Sequence, residues 1–166
     1  FAYVYKTDMA YAMVKQPGYY FISRTRRFGK SLFLDTLAEI FQASKTLFEG
    51  LYIYDKWNWD EEFPVVRIDF TSGDFSSDKG IRKMLAYNLI NNAVKHGLNL
   101  PEYELDSVGI HFSELIRAIA DKYKQKVVIL IDEYDKPILD NITTPEIAAK
   151  ARDILRSFYA SIKSND

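Results

Sequence analysis

The sequence predicts an α/β fold with a mainly parallel sheet. Short apolar or aromatic runs (Tyr19–Ile22, Val65–Phe70, Val127–Ile131) alternate with longer stretches whose apolar residues recur at helical spacing. The run from Val127 to Ile131 is continuously apolar, the form expected of a strand covered on both faces. No repeat of fixed period and no low-complexity segment competes with this pattern.

Each element has its own signal. Thr7 to Lys15 reads as a short helix through Met9, Ala12 and Met13, stopped by Gln16-Pro17-Gly18. Tyr19 to Ile22 is the first strand, and after a loop from Ser23 to Gly29 a helix runs through Leu34, Leu37, Ile40 and Phe41. Asp35 and Glu39 fall on the other face of that helix. Leu47 to Trp59 has no clean period, and its Trp57 and Trp59 suit a lid or a local mini-core better than an interaction surface. After Phe63-Pro64 comes the strand Val65 to Phe70, then a polar loop from Thr71 to Ser77. A long helix follows from about Asp78 to His96 on Ile81, Leu85, Leu89 and Val94, with Gly97 placed to cap it. Leu98 to Gly109 reads as a loop. Phe112, Leu115, Ile116, Ile119, Ala120 and Tyr123 then form an amphipathic stripe. The last helix begins at Pro145, runs to about Lys163, and turns Ile147, Ala151, Ile154, Leu155 and Phe158 inward.

Composition narrows the function. A length of 166 residues suits one domain, and 22 basic against 23 acidic residues give a net charge of −1. A dedicated nucleic-acid binder carries a basic surplus, so direct nucleic-acid binding is not expected. With 12 Tyr and 11 Phe, the aromatic content fits a ring-rich core better than base stacking. The absence of cysteine excludes disulfides and thiolate metal sites and is compatible with a cytoplasmic protein. No run approaches the ~20 apolar residues of a membrane span. The chain begins at Phe1 instead of Met, so a longer natural N-terminus is expected.

Ligands of parallel sheets bind beyond the carboxyl ends of the strands. That rule points to Ser23–Ser31, Asp69–Ser72 and Asp132–Asp135. The first place ends in Gly29-Lys30-Ser31, between a strand and a helix, and matches the end of a phosphate-binding loop. Gly29 admits a phosphate close to the backbone, and the free N–H groups of the first helical turn favour an anion. Lys30 then reaches the β- and γ-phosphates, and the Ser31 hydroxyl ligates Mg²⁺. Arg24 stands where the first glycine of that loop pattern falls, so the tight turn is built differently and the motif is degenerate.

Val127 to Ile131 ends in Asp132 and Glu133, the form of a Walker B strand. Asp132 would hold Mg²⁺, directly or through water, and Glu133 would polarise the attacking water. Arg26 and Arg27 either contact phosphate oxygens, or salt-bridge Glu39 or face solvent. Asp69 either approaches the γ-phosphate or caps its loop. Asp135 either assists Mg²⁺ at one remove or forms a turn with Lys136-Pro137. His96 and His111 lack metal-ligand spacing and are assigned no chemistry.

Three stretches carry a resemblance to a known family: Arg26-Arg27-Phe28-Gly29-Lys30-Ser31-Leu32, Leu47-Phe48-Glu49-Gly50-Leu51-Tyr52-Ile53 and Ile131-Asp132-Glu133-Tyr134-Asp135-Lys136-Pro137-Ile138. In these the chain resembles the AAA-ATPase-like family, usually fused to a C-terminal PD-(D/E)XK nuclease-like domain. The likeness runs from about Tyr3 onward. It implies a P-loop NTPase core of three α/β/α layers, with ATP and Mg²⁺ bound by Arg26 to Leu32 and Asp132. In that core Lys30 and Glu133 are the catalytic residues and Ser31 and Asp132 the metal ligands. A nuclease-like neighbour domain and a homo-oligomer are the implied partners. Family members tend to place an Asp before Lys-Thr near the start, where this chain has Tyr5-Lys6-Thr7.

In folds of this type the strand after Walker B lies between the Walker A and Walker B strands and carries a residue that senses the γ-phosphate. Only one helix, Pro145 to about Lys163, is expected after Asp132. Residues 1–166 are therefore expected to be a single P-loop domain, truncated before its sensor strand. A gap is expected between Tyr19–Ile22 and Val127–Ile131. Two functions follow: an ATPase module that couples hydrolysis to an attached domain, or a non-catalytic nucleotide-binding or scaffold module with a degenerate Walker A loop.

Overall fold

Residues 10–11, 30–99 and 104–163 are described by a computed structural model of the chain, with the backbone alone described at residues 30 and 31. The chain divides into two units, Phe1–Val65 and Val66–Asp166. Ala10 and Tyr11 are helical, as expected within Thr7–Lys15. The rest of that helix, the strand Tyr19–Ile22, the loop Ser23–Gly29 and the expected sheet gap lie outside the described residues.

In the first unit, helix α1 spans Lys30–Phe41. Phe33, Leu34, Leu37 and Ile40 are buried, so its apolar face is the one the spacing predicts. Ala43, with φ 60°, turns the chain out of the helix. Ser44 N–H then donates to Glu39 O at 3.0 Å, and its hydroxyl bonds the Glu39 carboxylate at 2.5 Å. A 3₁₀ turn, Lys45–Phe48, leads into the irregular stretch. That stretch builds a local aromatic core. Trp59 stacks on the fully buried Phe48 at 5.4 Å, and its Nε1 donates to Tyr54 O at 2.7 Å. Phe41 meets Trp57 and Phe63 edge-on at 5.9 and 5.8 Å. The mini-core expectation for the two tryptophans therefore holds.

In the second unit, strands β1 (Val65–Asp69, whose first residue closes the first unit) and β2 (Val128–Asp132) form a small parallel sheet. The crossover between them runs through α2 (Asp78–Lys95) and α3 (Val108–Tyr123), and α4 (Lys136–Leu139) and α5 (Pro145–Lys163) follow. The chain is thus mixed α/β. Val66 and Ile68 of β1, and Phe70 just after it, pack with Leu85, Leu89, Phe112, Leu115, Ile119, Leu155 and Phe158 in one cluster. Phe112 and Phe158 stack at its centre, with ring centroids 4.3 Å apart.

Helix α2 starts where Ser77 Oγ accepts from Gly80 N–H at 3.0 Å. It ends in the expected glycine cap: Gly97 has φ 66°, and Leu98 N–H and Gly97 N–H return to Ala93 O and Val94 O at 2.9 and 3.0 Å. Its buried face departs from the hydropathy pattern. Val94, expected inside, is 71% exposed, whereas Asn88 and Asn92 are buried. The β1 edge explains the exchange. Asn88 accepts from Asp69 N–H at 2.9 Å and donates to Asp69 O at 3.1 Å. Asn92 does the same at Arg67, at 2.9 and 2.7 Å. Four helical residues rise about 6 Å and two strand residues about 6.6 Å, so two side-chain amides one turn apart match alternate groups of a strand edge.

Three further differences are local. The loop expected through Gly109 gives way to a 3₁₀ turn, Leu105–Ser107, and α3 begins at Val108, whose burial holds the first turn despite Gly109. Tyr123, expected on the buried stripe, is 44% exposed and turns its hydroxyl to His96 Nδ1 at 3.0 Å. Strand β2, expected to be covered on both faces, has Val128, Ile129 and Ile131 only half-buried. Ile129 and Ile131 pack against the core cluster, and Leu130 and Asp132 are the buried residues of the strand. Among the described residues no helix is long and apolar enough to cross a membrane.

Candidate functional site

The carboxyl end of β2 is the best-defined of the three predicted places. Asp132 closes the strand and is buried, with 2% of its surface exposed. Its carbonyl accepts from Phe70 N–H at 3.1 Å, so the ends of both strands are locked in register at this point. Glu133 follows in the left-handed region at φ 57°, half-buried. That conformation costs a non-glycine residue about 1 kcal/mol or more, so the surrounding bonds must hold it.

Two bonds brace the turn, one at Glu133 itself and one at its neighbour. Lys136 N–H donates to Glu133 O at 3.0 Å, and the Tyr159 hydroxyl of α5 donates to Tyr134 O at 2.9 Å. Burial, together with the Asp135 carboxylate and the Tyr134 phenol, pushes the Tyr159 phenol above its ordinary value of 10.0. It therefore stays protonated and able to donate at neutral pH. Asp135 immediately precedes α4, with its carbonyl accepting from Ile138 and Leu139 N–H, both at 3.0 Å. The turn reading of Asp135 is thus realised. The one-turn helix behind it is absent from the sequence reading.

The loop after β1 is fastened to the same turn. Asn141, buried, donates from Nδ2 to Phe75 O and Pro137 O, both at 2.7 Å. The Lys136 ammonium lies 5.4 Å from the Phe75 ring and pairs with Asp140 at 2.5 Å. Asp69 is exposed, and its Oδ1 accepts from Thr71 N–H at 2.8 Å, so it caps its loop. Asn141, Tyr159 and Phe75 were not singled out by sequence. A buried asparagine four residues past a proline and a tyrosine beside Phe158 give no separate signal.

The phosphate-loop residues lie in the first unit. Arg26, Arg27, Phe28 and Gly29 fall outside the described residues. Lys30 and Ser31 begin helix α1, as the strand–loop–helix reading requires of them, and Leu32 is half-buried with its carbonyl accepting from Thr36 Oγ1 at 2.9 Å. Asp132 and Glu133 lie in the second unit.

The donors fit Mg²⁺ in kind. Asp132 offers carboxylate oxygen and Ser31 a hydroxyl, both hard ligands. Among the described residues no group of three or more His, Cys, Asp or Glu is placed to hold a metal ion. A cavity of about 270 Å³ lined by Asp78, Arg82, Asp106, Lys150 and Asp153 contains none of the sequence-predicted residues.

Comparison with known proteins bears on this arrangement. The profile of the AAA-ATPase-like family, described as "Predicted AAA-ATPase", matches residues 1–166. A protein of Azotobacter chroococcum mcd 1, named "Uncharacterized protein in vnfD 5'region", is 45% identical over 164 residues. The match covers 99% of this chain and 31% of that protein, so the chain spans about a third of the length of the curated relative it matches. No solved structure matches the chain.

Proposed function

The chain belongs to the AAA-ATPase-like family, and from that premise we propose that it binds ATP with Mg²⁺ and hydrolyses it. In this reading residues 1–166 form one P-loop domain, and hydrolysis is coupled to sequence outside them. The observation that carries it is the end of β2: a buried Asp132 closing a parallel strand, followed by a glutamate held in a strained backbone conformation.

The residues divide the work as phosphoryl-transfer chemistry requires. Gly29 and the first N–H groups of α1 would cradle phosphate, with Arg26, Arg27, Phe28 and Leu32 completing the loop. Lys30 would pair its ammonium with the β- and γ-phosphates. Ser31 and Asp132 would hold Mg²⁺, which when bound neutralises charge on the β- and γ-oxygens. Glu133 would accept a hydrogen bond from the attacking water and take its proton as general base. No covalent bond to the protein is needed.

Arg24, at the position of the first loop glycine, favours a second reading, a scaffold that has lost tight nucleotide binding. Titration calorimetry of the full-length protein with ATP and Mg²⁺ separates the two. Saturable heat and phosphate release support the enzyme. Heat without phosphate release supports a binding module, and no heat at high protein concentration supports the scaffold. The proposed partners are a C-terminal nuclease-like domain and a second copy of the chain, in the cytoplasm.

A further inference from the structure

Among the described residues, three that are not glycine have positive φ: Ala43, Lys124 and Glu133. Ala43 and Lys124 each follow a helix end, where a left-handed residue serves to stop the helix. Glu133 follows a strand and terminates no helix. Its conformation therefore needs another reason and another support. The support is identifiable. The Glu133 carbonyl is held from within the turn by Lys136 N–H, and the neighbouring Tyr134 carbonyl is held from outside it by Tyr159, 25 residues away on α5. The Tyr159 ring is fixed in turn, lying against the core cluster beside Phe158 at 5.9 Å between centroids.

We propose that Tyr159 is a positioning residue for Glu133: its hydroxyl, by gripping the Tyr134 carbonyl, sets the backbone from which the Glu133 carboxylate works and ties that carboxylate to helix α5. The inference rests on the reading of Glu133 as the base that activates water. It adds a route of control, because a shift of α5 along its axis would loosen the turn and misplace the base. A small misplacement of a reacting group lowers turnover steeply while leaving ground-state binding intact.

The test is Y159F in the full-length protein, which keeps the half-buried ring and removes only the donor. ATP affinity and KM are expected to stay at the parent values while kcat falls by roughly 10- to 100-fold. Amide hydrogen exchange at Lys136, which reports the turn directly, is expected to accelerate. In an E133Q background the same change is expected to cost nothing further, because the carboxylate it positions is already gone. An unchanged kcat in Y159F overturns the proposal. So does an equal fold-loss in both backgrounds, which would assign Tyr159 a merely structural role. Full-length protein that binds ATP but never releases phosphate overturns the hydrolysis reading itself, and this inference with it.

Discussion

The Asn92 side chain stands in for a neighbouring strand at Arg67, accepting its N–H at 2.9 Å and giving an N–H to its carbonyl at 2.7 Å. Asn88 repeats the arrangement at Asp69. An unpaired strand edge invites pairing with other chains, and here a helix closes it. Each amide also donates back along α2, Asn92 to Asn88 O at 2.8 Å and Asn88 to Met84 O at 2.9 Å. Replacing Asn92 by Ala strands buried donors and acceptors, at about 2–4 kcal/mol. The urea midpoint of N92A should drop accordingly with an unchanged slope, and an unaltered midpoint would show that water replaces the amide freely.

Loss of Lys30 and loss of Glu133 should be distinguishable. K30A removes the ammonium proposed to meet the phosphates, so ATP binding should fall below detection. E133Q keeps the shape of the proposed base but not its basicity. Binding should persist while turnover falls by about 10²-fold or more. Labelled-analogue binding and phosphate release measured on both variants check this. A K30A protein that binds as the parent does would sink the site assignment.

The stacked pair Phe112 and Phe158 sits at the centre of the second unit, with neither ring more than 1% exposed. Truncating either to Ala opens a cavity and should cost about 3–5 kcal/mol. Because the rings touch, the double variant should lose less than the two single losses added together. Thermal melts of the three variants decide it.

Stability should depend on pH at both extremes. Hydrogen bonds from the Ser76 hydroxyl and N–H hold Asp74 below its ordinary 3.8, and the Lys124 ammonium does the same for Asp121. A carboxylate held low in the folded state stabilises it above the unfolded value, and that contribution disappears as pH falls from about 4 downward. Both groups are fully exposed, so the effect is small, and D74N should flatten the acid limb slightly. Tyr159 acts in the opposite direction. Its phenol is raised, so its contribution is complete below 10.0 and is lost as pH climbs beyond that value. Denaturation midpoints measured from neutral pH to above 10 should decline more steeply for the parent than for Y159F.

Much of this was legible because apolar spacing reports burial. Ile81, Leu85 and Leu89 marked α2, Ala151, Ile154, Leu155 and Phe158 marked α5, and both lie as read. Spacing failed where a backbone edge imposed its own demand, since hydropathy places Val94 inside and Asn92 outside while β1 needs the amide. Asp132 was legible as the polar end of an apolar strand. The left-handed backbone at Glu133 was not, because no glycine or asparagine marks it and its support comes from Tyr159, which neither hydropathy nor spacing links to the turn. The one-turn helix α4 is shorter than any periodic signal can reveal.

The aromatic nest around Trp57 and Trp59 has an optical consequence. These are the protein's two tryptophans, and both belong to the Phe1–Val65 unit. The helices α2, α3 and α5 belong to the other unit. Tryptophan emission therefore watches one unit melt, while the far-ultraviolet dichroism is dominated by the other. If the two units unfold together, the two signals trace one curve in denaturant. If they come apart separately, the same cuvette yields two curves, and the order of loss is read without any label.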